Sequence, residues 1–95
     1  MKAQLLIRER VVYADGSLVE MVLWRVPKPV PPSKHGFKYR LVYIIAGERA
    51  LGYDNERGKG DHRHVGNEEE PIAFTSIDDL LARFMLEVEE MRRKG

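Results

Sequence analysis

Residues 37–46 alternate without interruption: Phe37, Tyr39, Leu41, Tyr43 and Ile45 fall on one side, Lys38, Arg40, Val42 and Ile44 on the other. A period of two is the signature of a strand with one buried face, so any fold for this chain starts from a β-sheet. The stretch predicts one core face and one basic face. A tight loop through Ala46-Gly47-Glu48 returns the chain into a second strand over 49–56. A three-residue loop sets Tyr43 opposite Leu51, Leu41 opposite Tyr53, Arg40 opposite Asp54 and Lys38 opposite Glu56, the charged pairs being cross-strand partners.

An earlier hairpin is predicted over 3–13 and 17–26, joined at Asp15-Gly16, a dipeptide that tolerates the positive φ angles of a two-residue turn. That register places Leu5, Ile7, Val11 and Tyr13 opposite Val26, Trp24, Glu20 and Leu18, with Trp24 in the core rather than exposed as a base-stacking platform. Pro27, Pro29, Pro31 and Pro32 end the strand and form a stiff connector, long enough to cross to another part of the sheet. Val65 to Glu70 reads as a solvated loop, and Pro71-Ile72-Ala73-Phe74 as a short strand. Ser76 then caps a helix with Asp79 three residues on, and Ile77, Leu80, Leu81, Phe84, Val88 and Met91 make its apolar stripe. The expected architecture is α+β: two hairpins joined by a proline-rich connector, plus a short strand, forming a mainly antiparallel sheet with a C-terminal helix packed on one face. With 95 residues the chain is read as one domain, 1–95.

The stretch Tyr53 to His64 has a different character. Two imidazoles (His62, His64), three cations (Arg57, Lys59, Arg63) and three carboxylates (Asp54, Glu56, Asp61) crowd around Gly58 and Gly60. Such a mixture suits the binding and protonation of an anion, a phosphodiester above all. Paired imidazoles supply a general acid and a general base without a metal, in either order, provided an extended segment brings them to the same side. Arg57, Lys59 and Arg63 are the candidate phosphate contacts, Tyr53 and Asp54 the positioning groups, and Asp61 the orienter of a histidine. The glycines would let backbone N–H groups approach the anion. A metal on His62 and His64 with Asp61, Asp54 or His35 is the competing use, opposed by the neighbouring cations. A polar loop without chemistry is the plain alternative.

Charge divides along the chain. Residues 25–64 carry nine Lys/Arg against four Asp/Glu, or +5, and residues 65–91 carry one Arg against eight acids, or −7. A basic middle fits a nucleic acid; equally, the two regions can neutralise each other across the fold. No cysteine is present, which excludes disulfides and thiolate zinc sites. No apolar run is long enough to span a membrane, and the N-terminus leads into a strand, so a cytoplasmic location is expected.

Trp24-Arg25-Val26-Pro27 with Pro29-Val30-Pro31, Phe37-Lys38-Tyr39-Arg40-Leu41, the run from Gly52 to His64, and Glu70-Pro71 with Phe74 resemble the TumE family, toxins of bacterial toxin-antitoxin pairs. The resemblance covers nearly the whole chain and implies a small cytoplasmic protein neutralised by an antitoxin, often one with a helix-turn-helix domain. Joined to the histidine pair, it predicts a toxin that acts on RNA as a metal-independent endoribonuclease, with no cofactor. The alternative is a module that binds nucleic acid or protein without chemistry. Pairing along a free sheet edge would give a homodimer.

Overall fold

The computed structural model describes residues 2–94. Six strands follow in chain order, β1 (Gln4–Val12), β2 (Leu18–Arg25), β3 (Phe37–Ile45), β4 (Glu48–Glu56), β5 (Gly60–Val65) and β6 (Glu68–Pro71), before the helix α1 (Ile77–Lys94). They form one sheet in the order β1-β2-β3-β4-β5-β6, with antiparallel neighbours throughout. The α+β class and the helix on one face are as the sequence predicts. The proline connector, however, crosses nothing: β2 and β3 lie side by side, and the connector loops out between them.

The helix covers the face on which aromatic and aliphatic side chains alternate. Val19 and Leu23 from β2, Tyr39, Leu41 and Tyr43 from β3, and Leu51 and Tyr53 from β4 pack with Leu80, Phe84 and Val88 of α1. Ser76 caps the helix, its Oγ accepting from the Asp79 N–H at 3.0 Å. The Asp79 carboxylate takes a bond from the Thr75 hydroxyl at 2.8 Å. At the other end, Arg92 stacks its guanidinium 3.6 Å from the Tyr13 ring centre and bonds Asp15 and Ser17, which fastens the helix to the first hairpin.

That hairpin corrects the expected register. Its loop has three residues, Ala14 to Gly16: the Tyr13 N–H donates to the Ser17 carbonyl at 2.8 Å, and Gly16 adopts a φ of 86°. The Asp15 carboxylate accepts from the Ser17 N–H at 2.9 Å and from its hydroxyl, so the side chains select the longer loop. One additional loop residue exchanges the faces of a strand. Val19 and Leu23 therefore enter the core, while Trp24 stands on the helix-free face opposite Leu5.

The second hairpin reaches its expected pairings by another route. Its turn has two residues, Ala46 (φ 51°) and Gly47 (φ 79°), and a shift between Tyr43 and Ile44 restores Tyr43–Leu51, Leu41–Tyr53 and Arg40–Asp54. The ladder stops there, so Lys38 and Glu56 do not pair. The buried Asn55 amide takes over beyond it, accepting from the Tyr39 N–H at 2.9 Å and donating to the Phe37 carbonyl at 2.7 Å. Downstream, the acidic run is strand rather than loop. Val65 pairs with Glu68 across Gly66-Asn67, whereas the expected strand at 72–74 is irregular chain.

Asn55→Ala leaves a backbone donor and a backbone acceptor without their partner, at roughly 1–3 kcal/mol for each buried group. The urea midpoint is expected to fall accordingly. An unchanged midpoint would mean that Asn55 does not hold the end of β3.

Candidate functional site

The stretch singled out in the sequence is the β4–β5 hairpin with its turn at 57–59. Because β5 is extended, its side chains alternate, and the candidate residues separate onto two faces. Asp61 and Arg63 share the helix side with Tyr53; His62 and His64 share the open side with Asp54. The glycine N–H groups are not all free for an anion, since Gly58 donates to the Pro31 carbonyl at 2.8 Å and Lys59 to the Glu56 carbonyl at 3.1 Å. Gly60 has a φ of 77°, and a Cβ there would lie 3.1 Å from Pro32 Cγ, so the connector packs directly on this turn.

On the helix side, Asp61 collects three donors. Tyr39 Oη donates to Oδ1 at 2.6 Å, Ser33 Oγ donates to Oδ2 at 3.0 Å, and His35 Nε2 lies 2.8 Å from Oδ1. The Phe37 N–H donates to His35 Nδ1 at 3.2 Å, so the proton of a neutral His35 sits on Nε2 and points at the carboxylate. The histidine that Asp61 orients is thus His35, not His62 or His64. Burial and then the bond to Asp61 push the Tyr39 hydroxyl well above its ordinary value.

Arg63 and Tyr53 belong to a second cluster. Arg63 Nε donates to both carboxylate oxygens of Glu87, at 2.8 and 3.0 Å, and its Nη1 reaches Glu70 at 2.9 Å. Arg63 Nη2 and Tyr53 Oη donate to the same Glu87. Burial raises the Glu87 carboxyl, but the bonds from Arg63 and Tyr53 outweigh it and hold the group below the usual range. These two side chains tie the sheet to the helix. The basic middle and acidic end of the sequence do neutralise each other here, and again where Lys59 Nζ lies 3.7 Å from Glu69.

The open face carries the imidazole pair. The rings of His62 and His64 lie 6.4 Å apart, inclined by 29°. His62 Nδ1 is 2.8 Å from the Gly60 carbonyl, which only accepts, so this nitrogen bears a proton and Nε2 holds the lone pair of the neutral ring. His64 Nε2 lies 3.3 Å from Asp54 Oδ1. One carboxylate faces all the remaining nitrogens: Glu69 places Oε1 3.7 Å from His62 Nε2 and from Lys59 Nζ, and Oε2 4.0 Å from His64 Nδ1. Arg49 lies close by. A Cβ on Gly52, the strand partner of His64, would come within 2.9 Å of Arg49 Cδ, so the Arg49 side chain lies over the glycine. Arg57 stands exposed in the turn.

Glu69 and Arg49 were not among the predicted site residues, and His35 was weighed only as a metal ligand. Gly66-Asn67 is a two-residue turn signal that would have brought Glu69 back beside His64, and a glycine inside β4 marks a close approach. No sequence signal points to the pairing of His35 with Asp61. Among the described residues, no group of three or more His, Asp or Glu side chains is arranged to hold a metal ion.

A small antiparallel sheet backed by one helix, with an imidazole pair on its open face, defines an α+β protein. The chain belongs to the TumE family: the family model described as Toxin TumE matches residues 2–92. Membership gives it a toxin's role and implies an antitoxin as partner. No curated protein and no solved structure matches the chain. No helix among the described residues is long and apolar enough to cross a membrane.

Because Glu87 titrates below its ordinary value of 4.5 in the folded chain, its pairing stabilises the fold above that value and is lost as pH falls through the lowered one. Glu87→Gln is expected to lower the melting temperature at neutral pH and to flatten its fall on acidification. Parallel melting curves for variant and native chain would contradict this.

Proposed function

We propose that this toxin cleaves RNA without a metal, using His62 and His64 on the open face of the sheet. The observation that carries the reading is the convergence of His62 Nε2, His64 Nδ1 and Lys59 Nζ on a single carboxylate, that of Glu69, which marks a position suited to an anion. A scissile phosphate that displaced Glu69 would meet two imidazoles and a cation. Arg49 stands beside them, and Arg57 is exposed in the adjoining turn.

The hydrogen bonds favour one order of roles. His62, whose Nδ1 proton is engaged by a neutral carbonyl, presents the Nε2 lone pair and acts as the base. It takes the proton of the ribose 2′-hydroxyl, whose oxygen attacks phosphorus. The bond from phosphorus to the 5′-oxygen breaks, leaving a 2′,3′-cyclic phosphate, and the departing oxygen takes its proton from His64. Asp54, on the far nitrogen of His64, balances the charge that an acid carries. Asp61, Arg63 and Tyr53 contribute indirectly, by fixing the strand from which the histidines project. The partner is an antitoxin, read here as one with a helix-turn-helix domain, that covers the basic hairpin.

His62→Ala and His64→Ala are each expected to lower RNA cleavage in EDTA by roughly 10²- to 10⁴-fold while leaving binding of uncleaved RNA unchanged. Cleavage and toxicity that persist in the folded double variant would contradict the catalytic reading. Binding and toxicity without cleavage by the native chain would favour a non-enzymatic module.

A further inference from the structure

Seven of the eight Phe, Tyr and Trp side chains pair with another ring or with a guanidinium; Trp24 alone has no such partner among the described residues. It stands on the open face, half-buried, in a cleft of about 170 Å³ lined by Val22, Trp24, Lys38, Tyr39 and Arg40. The floor is apolar and the rim is cationic. Lys38 and Arg40 are exposed and make no ion pair among the described residues, although Arg40 lies directly opposite Asp54 in the ladder.

This cleft lies on the face that carries the histidines. The cross-strand row Val22, Arg40, Asp54, His62 runs over β2 to β5, and Trp24 sits two residues along β2 from its start. With strands about 4.8 Å apart and about 3.3 Å per residue, Trp24 lies about 16 Å from His62, a distance that a short single strand spans. A half-buried ring between two unpaired cations is the arrangement that receives a nucleobase, the ring stacking on the base and the cations meeting the flanking phosphates.

We propose that Trp24, with Lys38 and Arg40, forms a nucleobase subsite that holds single-stranded RNA a few nucleotides from the scissile phosphate. The proposal rests on the RNA reading above and adds to it where the strand lies. It requires no sequence preference, since every base offers a face for stacking.

Trp24 is the only tryptophan in the chain, so its fluorescence reports the subsite directly. The probe is a mixed-sequence 2′-O-methyl RNA octamer, which lacks the attacking hydroxyl and separates binding from cleavage. Titration of the native chain is expected to quench the fluorescence saturably. Trp24→Leu is expected to weaken binding, followed by anisotropy of a labelled octamer, by roughly 5- to 100-fold, with Trp24→Phe recovering part of the loss. Since Trp24→Leu removes packing as well, Lys38→Glu/Arg40→Glu serves as a second variant that leaves the ring in place and is also expected to weaken binding. Binding without quenching, and unaffected by either variant, overturns the subsite while leaving RNA as the ligand. Absence of binding overturns both. Quenching and binding by a chain that never cleaves RNA supports the subsite and refutes the catalytic reading alone.

Discussion

The carboxylate of Asp61 is the interaction on which the arrangement of this chain depends. It is largely withdrawn from water and would be costly there without partners; Ser33, His35 and Tyr39 supply them. Two of the three come from the connector and its end, so the same bonds fold the prolines against the β4–β5 hairpin. The Gly58 bond to the Pro31 carbonyl and the contact of Gly60 with Pro32 complete the junction. His35 is stacked at 3.8 Å on Phe74, which draws in the chain just before the helix. One half-buried carboxylate thereby joins the connector, β3, β5 and the approach to α1.

Setting Asp61 inward sets its neighbours by alternation. Arg63 must then face the helix, where Glu87 meets it, and His62 and His64 must face away. Structural and reactive polar groups of one strand are separated by the pleat alone. This division explains why so concentrated a run of ionisable residues makes few contacts within itself beyond that of His64 with Asp54: part of it is neutralised by the helix and the connector. The remainder stands on a face that no helix covers, with Lys38, Arg40 and Arg49 around it.

What was legible in the sequence is what local chemistry determines. The alternation in β3, the Ser76 cap and the apolar stripe of α1 are each set by a few adjacent residues, and each is realised. The first hairpin departs from its expected register by one residue because Asp15-Gly16 suits two loop lengths, and the choice falls to the bonds from Ser17 to Asp15. That single residue decides whether Trp24 is core or surface. Within the candidate site, the shared side of His62 and His64 followed from spacing once the segment was extended. The partners of Asp61 lie 22 to 28 residues away in the chain, and Arg63 reaches Glu87 24 residues away beside Glu70 only 7 away; the distant partners are met only through the folded topology.

The most direct test of this division is the urea midpoint of single alanine variants along β5. Asp61→Ala is predicted to lower it clearly, because it leaves the buried Ser33 and Tyr39 hydroxyls without their acceptor, and Arg63→Ala because it removes the bonds that tie β5 to Glu87 of the helix, whereas His62→Ala leaves it near the native value. A midpoint that falls as far for His62→Ala as for its neighbours, or that is indifferent to the loss of Asp61, would contradict the assignment of one face to folding and the other to function.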